Sequence, residues 1–451
     1  MNIPTGPAEL MNASTGVNGE FRAAGAHDAA ELDRVVDKVG RQLMWFLVAL
    51  YLVAIMDRSN ISFAALTMNG DLGLSPKAYG IGVGAMFFTY ALFEVPSNLL
   101  LARIGARATL TRIAMLWGIV TVLMACAVGP VSFWALRALL GAAESGLFPG
   151  VMLFLSFWFP YAWRARYNAA FNLAVPIAYI ASGIVSGALL TLNGAGGLAG
   201  WQWLFVLEGL PAVLLGVIGA FWLTNRPSEA TWLSLAERQT LEAALDAHPP
   251  SAKVVAPTSM LRALVNPVVL TMGLCNTLLF CGLTSAQIWL PQMLKTYHSS
   301  FTTIGLFSAM PPLAGLIGMV ALGRLSDRSP HRFLHASLAF ALSALGFALV
   351  ALSHSMWPML LGFTLASVGI LATQAIFWTI PQSFLHRSTS AGAIGAIGMM
   401  GSIGGAIMPA IVGELRAQTH AFTAGFIVVA VACLAGCALI GVLHAMMARQ
   451  R

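Results

Sequence analysis

Residues 43–66 read LMWFLVALYLVAIMDRSNISFAAL. Fourteen apolar residues lead into Asp57-Arg58, and apolar sequence resumes at Ile61. A run of this length matches the ~20 residues that cross a bilayer as a helix. Lipid offers no partner to a backbone amide, so only helices and closed barrels span it. Barrel strands would be about ten residues long with alternating polarity. No alternation occurs here, so the run predicts a helix that carries an acid and a base to mid-depth.

Working outward, the same pattern recurs. The spacing predicts spans at 43–66, 79–101, 109–129, 132–156, 166–192, 201–224, 266–290, 302–323, 333–353, 356–383, 390–413 and 421–446. The chain of 451 residues is 58% hydrophobic and 9% charged. A soluble chain carries roughly a quarter charged residues, so the fold class is all-α integral membrane, with twelve transmembrane helices in two six-helix halves. The expected organisation is a disordered cytoplasmic tail over 1–40, with a helix from Ala30 to Arg41 as the alternative for its end, a first half over 41–224, a cytoplasmic linker over 225–262 with a short helix near 233–246, a second half over 263–447 and a tail over 448–451. Residues 1–40 lack the apolar core of a signal peptide.

The net charge of +7 does not point to nucleic acid. With the N-terminus inside, nineteen of the 24 Lys and Arg fall on cytoplasmic segments and adjoining span ends. Lys77, Lys295 and Arg416 lie outside, and Arg58 and Arg137 lie within spans. This is the positive-inside asymmetry; it predicts a multi-pass protein of the cell (inner) membrane with both termini cytoplasmic. The five cysteines all fall in spans and read as packing residues. No GxxxxGK[ST] phosphate loop occurs, so ATP hydrolysis within the chain is not expected.

Six plus six spans suggest an internal duplication whose halves meet at a central site. The loop after the second span carries Arg103-Ile104-Gly105-Ala106-Arg107, and that after the eighth carries Gly323-Arg324-Leu325-Ser326-Asp327-Arg328, then Arg332. These are equivalent positions in the two halves. Arg103, Arg107, Asp327 and Arg328 are therefore candidate conformational loops, in which Asp327 can pair with a basic residue or cap a helix.

Further stretches carry a resemblance. They are Met56-Asp57-Arg58-Ser59-Asn60, Phe93-Glu94-Val95-Pro96-Ser97-Asn98, Arg137-Ala138-Leu139-Leu140-Gly141 with Glu144-Ser145-Gly146-Leu147-Phe148-Pro149-Gly150, Trp158-Phe159-Pro160, and Gly200-Trp201-Gln202-Trp203 with Glu208-Gly209. From about residue 43 to its end the chain resembles the anion:cation symporter family of the major facilitator superfamily. Around Leu66-Thr67-Met68 and Asp71-Leu72-Gly73-Leu74-Ser75 it looks most like the tartrate and 4-hydroxyphenylacetate permeases. The resemblance implies proton-coupled, or sodium-coupled, uptake of a small organic anion by rocking of the two halves.

An ionisable side chain at bilayer depth is costly and is a functional candidate by default. Arg137 and Glu144 are seven apart, two helical turns, and so share a face. Asp57 and Arg58 diverge by ~100°. Arg can hold a carboxylate through two parallel hydrogen bonds, and a carboxyl that moves between wet and dry states can exchange a proton. The expectation assigns Arg58 to the substrate carboxylate, Arg137 to alternation between a partner acid and the cavity, and Asp57 and Glu144 to the proton. By resemblance these four match functional positions of the family. Tyr90 and Trp378 match cavity aromatics, against core packing as the plainer reading. Asn172 and Gln292 could bond substrate hydroxyls. Met399 and Ser402 stand where relatives carry amides, which favours an aromatic acid or short dicarboxylate over a sugar acid. Glu94 could pair with loop arginines, and Glu208 could be a protonated carboxyl bonded to backbone; neither role is fixed by sequence.

No cofactor, metal or nucleic-acid partner is expected, and no nucleophile elbow or paired His motif suggests an enzyme. The expected partners are a small organic anion, a co-transported proton (or sodium) and the bilayer, around a monomer. The rival readings are an anion exchanger or an exporter of amphipathic compounds on the same fold, and a transport-dead solute sensor.

Overall fold

The computed structural model describes residues 7–247, 265–297, 299–380 and 390–448. The second part of the linker, residues 248–264, the end of the tenth expected span at 381–383 and the tail from 449 lie outside it. The first half comprises α1 (Pro7–Asp71), α2 (Pro76–Ile104), α3 (Ala106–Met124), α4 (Pro130–Glu144), α5 (Leu147–Trp158), α6 (Tyr161–Asn172), α7 (Ala174–Leu189) and α8 (Gly200–Trp222). After α9 (Leu235–Asp246) the second half comprises α10 (Pro267–Lys295), α11 (Phe301–Asp327), α12 (Arg332–Leu352), α13 (Met356–Phe377), α14 (Ser390–Thr419) and α15 (Thr423–Ala448). Helices α4 and α5 together form one span, as do α6 and α7. Eleven stretches of the described residues are long and apolar enough to cross a membrane. The 29-residue α2 packs between α4 and α14 and completes the twelve.

Residues 30–41 are helical, the form left open for them above, because Val35, Val36 and Val39 have an apolar bed and are buried. Lys38 Nζ bonds Glu237 at 2.7 Å, and Asp37 pairs with Arg166 at 3.3 Å. Glu237 also closes a capping box with Ser234 at the start of α9. The linker helix anticipated near 233–246 is thus strapped to α1. The Lys38 ammonium holds the Glu237 carboxyl below the usual carboxylate range. The stabilisation from that group is present above the ordinary Glu value and is lost as pH falls through the lowered one.

The two halves meet closely at one end of the bundle, the end with the 71–76 and 295–301 turns. Helix α2 crosses α14 there, and α7 crosses α11. A Cβ on Gly80, Gly84 or Gly413 would overlap backbone of the opposite helix, as would one on Gly183 or Gly305. Small residues let helices approach to backbone contact in an apolar medium. Lys77 pairs with Glu414 at 3.0 Å across the same seam, and Lys295 Nζ bonds the Leu66 carbonyl. Among the described residues, Lys77–Glu414 is the one ion pair that joins the halves.

Gly84→Val puts a branched side chain against the Ala406 carbonyl. Such overpacking costs about 1–3 kcal/mol, so thermal unfolding of the purified variant should begin several degrees below that of the parent chain. An unchanged Tm would show that α2 and α14 do not rest together as described.

Candidate functional site

The charged cluster starts from the break in the fourth span. Helix α4 ends at Glu144, Ser145 is extended in ψ (137°), and Gly146 adopts a left-handed φ of 85° before α5 begins. Glycine takes that conformation without steric cost. The buried Ser145 carbonyl accepts from Ser97 Oγ of α2 at 2.8 Å. Gly141, one turn earlier, lies against the Met86 carbonyl, so α2 and α4 touch backbone to backbone. Arg58, Tyr90 and Glu144 stand 13, 14 and 14 residues from helix ends on one side of the bundle. At 1.5 Å per residue this is about 20 Å of depth.

Arg58 Nε donates to Glu144 Oε1 at 2.6 Å. The Glu144 side chain has no exposure, whereas Arg58 keeps 20%. The Arg58 guanidinium lies over the Tyr90 ring, 4.7 Å from its centroid. Glu144 Oε2 has no hydrogen-bond partner. The acid therefore pairs with Arg58 on α1, not with Arg137 on its own helix face as the spacing suggested. Shared facing along one helix leaves a two-turn gap of about 10 Å, whereas the α1 side chain reaches across directly.

Arg137 is fully buried, and none of its three guanidinium nitrogens has a hydrogen-bond partner. Tyr79, Asp57 and Glu144 are its electrostatic neighbours. A cation so placed calls for an anion, since burial of an unpaired charge costs several kcal/mol.

Asp57 diverges from Arg58 as its position implied. Its Oδ2 accepts from Trp117 Nε1 and Thr121 Oγ1, both at 2.6 Å, and its Oδ1 accepts from Asn60 Nδ2 at 2.7 Å. Three donors fix this carboxyl against α3. Trp117 and Thr121 were not singled out in the sequence, although their separation by four puts both on one face of α3.

The remaining candidates divide. Gln292 is buried, accepts from Arg416 Nη1 at 2.8 Å and leaves its Nε2 unpartnered. Arg416 lies over the Phe422 ring at 4.1 Å, which joins Gln292 to the closed end. Asn172 is exposed and donates to the Asn168 carbonyl of its own helix at 2.8 Å. Trp378 and Met399 are half-buried against the core of the second half. None of these four contacts Arg58 or Glu144. Arg107 ties α3 to the end of α8 through the Ala220 carbonyl and Asn225. Arg103 and Arg328 are exposed, and Asp327 pairs with Arg332 at 3.7 Å on the surface. Glu94 is half-buried and makes no ion pair; Arg58 is its charged neighbour. Glu208 accepts from Ser186 Oγ at 2.7 Å rather than from backbone.

A small, largely apolar cavity of about 50 Å³ lies between the halves. Its polar walls are Ser59, Ser62, Tyr179 and Ser182 from the first half, and Gln287, Ser308 and Ser367 from the second. Ser308 Oγ and Gln287 Nε2 have no partner.

The ion pair has a measurable signature. Arg58→Ala leaves Glu144 buried without its cation, at a cost of about 3–5 kcal/mol. The double variant Arg58→Ala/Glu144→Gln removes the stranded charge and should unfold at a higher temperature than the single variant. Equal unfolding temperatures would mean that Glu144 is not held as an anion by Arg58.

The comparisons agree with this architecture. The family model described as Major Facilitator Superfamily matches residues 47–409. A protein of Agrobacterium vitis named "Putative tartrate transporter" is 41% identical over 397 residues, covering 88% of this chain and 92% of its own length. The "Quinolone resistance transporter" of Acinetobacter baumannii is 37% identical over 418 residues, covering 92% and 96%. The "Inner membrane transport protein RhmT" of Escherichia coli is 35% identical over 392 residues, covering 86% and 90%. Among solved structures, an inward-facing bacterial homolog of the human lysosomal transporter Spinster superposes with a TM-score of 0.73 at 15% identity, over 91% of this chain and 97% of that one. The xylose transporter XylE of E. coli superposes at 0.70 and 13% identity, over 88% and 96%. At those identities the superpositions speak for the fold. The chain is a multi-pass secondary transporter, not an enzyme, and it belongs to the Major Facilitator Superfamily.

Proposed function

We propose that the protein takes up a small dicarboxylate of the tartrate type together with a proton. The observation that carries this reading is the Arg58–Glu144 pair. A part-exposed guanidinium is joined through Nε to a wholly buried carboxyl whose second oxygen has no partner. A substrate carboxylate that engages Arg58 draws its charge away from Glu144. An acid left without its cation in a dry site takes a proton instead. Anion and proton then load together, and the occupied site carries little net charge as the halves rock. Arg137, buried with three free nitrogens, suits a second carboxylate. This exchanges the two roles first expected: Arg58 alternates between acid and substrate, and Arg137 waits for an anion.

Asp57, held by three donors, tunes the field around this exchange and is a second candidate for the proton. Tyr90 braces Arg58. Trp378, Met399, Asn172 and Gln292 would complete the wall on approach of the halves. Sodium is the alternative coupling ion. The loops of Arg103, Arg107, Asp327 and Arg328 would act at the end opposite the closed seam. The inner membrane, both termini cytoplasmic and a monomer follow the charge asymmetry of the loops and the six-plus-six plan. The name of the A. vitis relative supports a tartrate-like substrate. The name of the A. baumannii relative favours one rival, export of an amphipathic drug-like compound.

Proteoliposomes and radiolabelled L-tartrate separate these readings. An inward proton gradient should drive accumulation by the parent chain. Glu144→Gln should abolish accumulation yet retain tartrate counterflow. Arg137→Gln should weaken tartrate binding by about tenfold or more, the equivalent of one charged hydrogen bond. Gradient-driven accumulation that survives Glu144→Gln would remove this acid from coupling, and efflux of a quinolone without tartrate uptake would favour export.

A further inference from the structure

We propose that Glu208 is an additional proton-holding carboxyl, reached from the cavity between the halves through the hydroxyls of Ser59, Ser182 and Ser186. This deepens the proton-coupled reading above and rests on it for its place in transport.

The geometry is a continuous row. Ser59 Oγ donates to Ser182 Oγ at 2.7 Å, Ser182 and Ser186 hydroxyls lie 3.4 Å apart, and Ser186 Oγ donates to Glu208 Oε1 at 2.7 Å. All four side chains are at least 95% buried. Ser59 and Ser182 also line the cavity between the halves, so one end of the row opens there and the other ends on a carboxyl. Ser182 and Ser186 are one turn apart on α7, which is what lets two hydroxyls succeed each other along a single helix. A helix that needs no polar groups in lipid here carries two, both turned towards a buried acid.

The directions agree. Ser186 donates to the carboxyl, which leaves its oxygen to accept from Ser182, whose own oxygen accepts from Ser59. The O–H groups of Ser182 and Ser186 can therefore point towards Glu208, and that of Ser59 joins them when it turns from the Met56 and Ile55 carbonyls, 2.9 and 3.1 Å away. A proton that arrives at Ser59 from cavity water is matched by transfer of the Ser59 proton to Ser182, of the Ser182 proton to Ser186, and of the Ser186 proton to Glu208. One proton leaves the water, one arrives at the carboxyl, and each hydroxyl ends intact with its O–H reversed.

The surroundings provide a place for that proton. Glu208 Oε2 and Asn60 Oδ1 are buried acceptors without a donor, and Asn60 lies against Glu208. A proton on Glu208 would supply a donor to Asn60 Oδ1, whose amide nitrogen already donates to Asp57. The charged group that faces Glu208 is Asp57 on α1. Helix α7 presents serines, and α3 presents Trp117 and Thr121, which already donate to Asp57. No cation from these helices pairs with Glu208 among the described residues. Two carboxyls that share one dry region favour a single negative charge between them. Glu208 also stands 8 residues from the start of α8 at the closed end, about 12 Å of depth at 1.5 Å per residue. It is thus closer to that end than Glu144, at about 20 Å.

Infrared difference spectroscopy on the full chain in lipid vesicles tests the relay without a substrate. Changing the bath from acid to alkaline should remove a protonated-carboxyl band that is absent from Glu208→Gln. Ser186→Ala keeps the acid but removes its donor, so the band should persist at a shifted frequency. In Ser182→Ala its exchange with heavy water should slow by about tenfold, the kinetic weight of a lost hydrogen bond. The proposal is overturned if parent chain and Glu208→Gln show the same bands, or if both serine variants exchange at the parental rate. Tartrate accumulation in the same vesicles keeps the two readings apart. A Glu208 band without gradient-driven uptake sinks the symport reading and leaves the relay; uptake without such a band sinks the relay.

Discussion

An ionised group left alone in the middle of a bilayer is costly, and the centre of this molecule is arranged around that constraint. The Arg58–Glu144 bond of 2.6 Å satisfies it for two charges at once. In it the long Arg58 side chain reaches from α1 to the end of α4 at mid-depth. That end is held by the tight α2–α4 crossing at Gly141 and the Ser97 bond to the broken end of α4. Asp57 meets the same constraint differently, with three neutral donors instead of a cation. Two adjacent residues on α1 thus show two solutions, one a charged partner and one a set of neutral donors.

Much of the fold was legible because lipid dictates it. Hydrocarbon thickness sets the length of every span, and backbone satisfaction leaves only the helix, so the span positions follow from composition and run length. The charged residues were legible for the same reason, since each is an exception within an apolar run. Their partners were not. The choice of Arg58 over Arg137 by Glu144 depends on how α1 and α4 are rotated about their own axes, and nothing local to either helix states that. Trp117, Thr121, Ser182 and Ser186 are neutral residues that pass unremarked in an apolar segment, although the i, i+4 spacing within each pair is visible. A helix over residues 30–41 was legible only as an alternative, because three valines among charges are a weak signal until their bed is known.

The asymmetry between the two ends of the bundle has a simple chemical basis. Glycines bring α2 to α14 and α7 to α11 within backbone contact, and such crossings are made of dispersion forces over a dry surface. One exposed ion pair, Lys77–Glu414, sits at their rim. Exposed pairs contribute about 0–1 kcal/mol, so the seam holds by shape more than by charge. A seam of this kind can part and re-form without stranding a buried polar group, which a rocking interface needs.

The break at Ser145-Gly146 also alters the electrostatics of the site. A helix that stops leaves its last carbonyls unpaired and carries a partial negative charge of about half an elementary unit at that end. Glu144 is the terminal residue of α4, so the acid and the helix end present their negative character to the same small region. Arg58 therefore answers a full charge and a fractional one. In the proposed cycle, a proton that neutralises Glu144 would leave the fractional charge in place, because it belongs to the backbone. A guanidinium released to a substrate would then stay attracted to the helix end, so that α4 would act as a permanent counter-electrode that keeps Arg58 at mid-depth through both halves of that cycle.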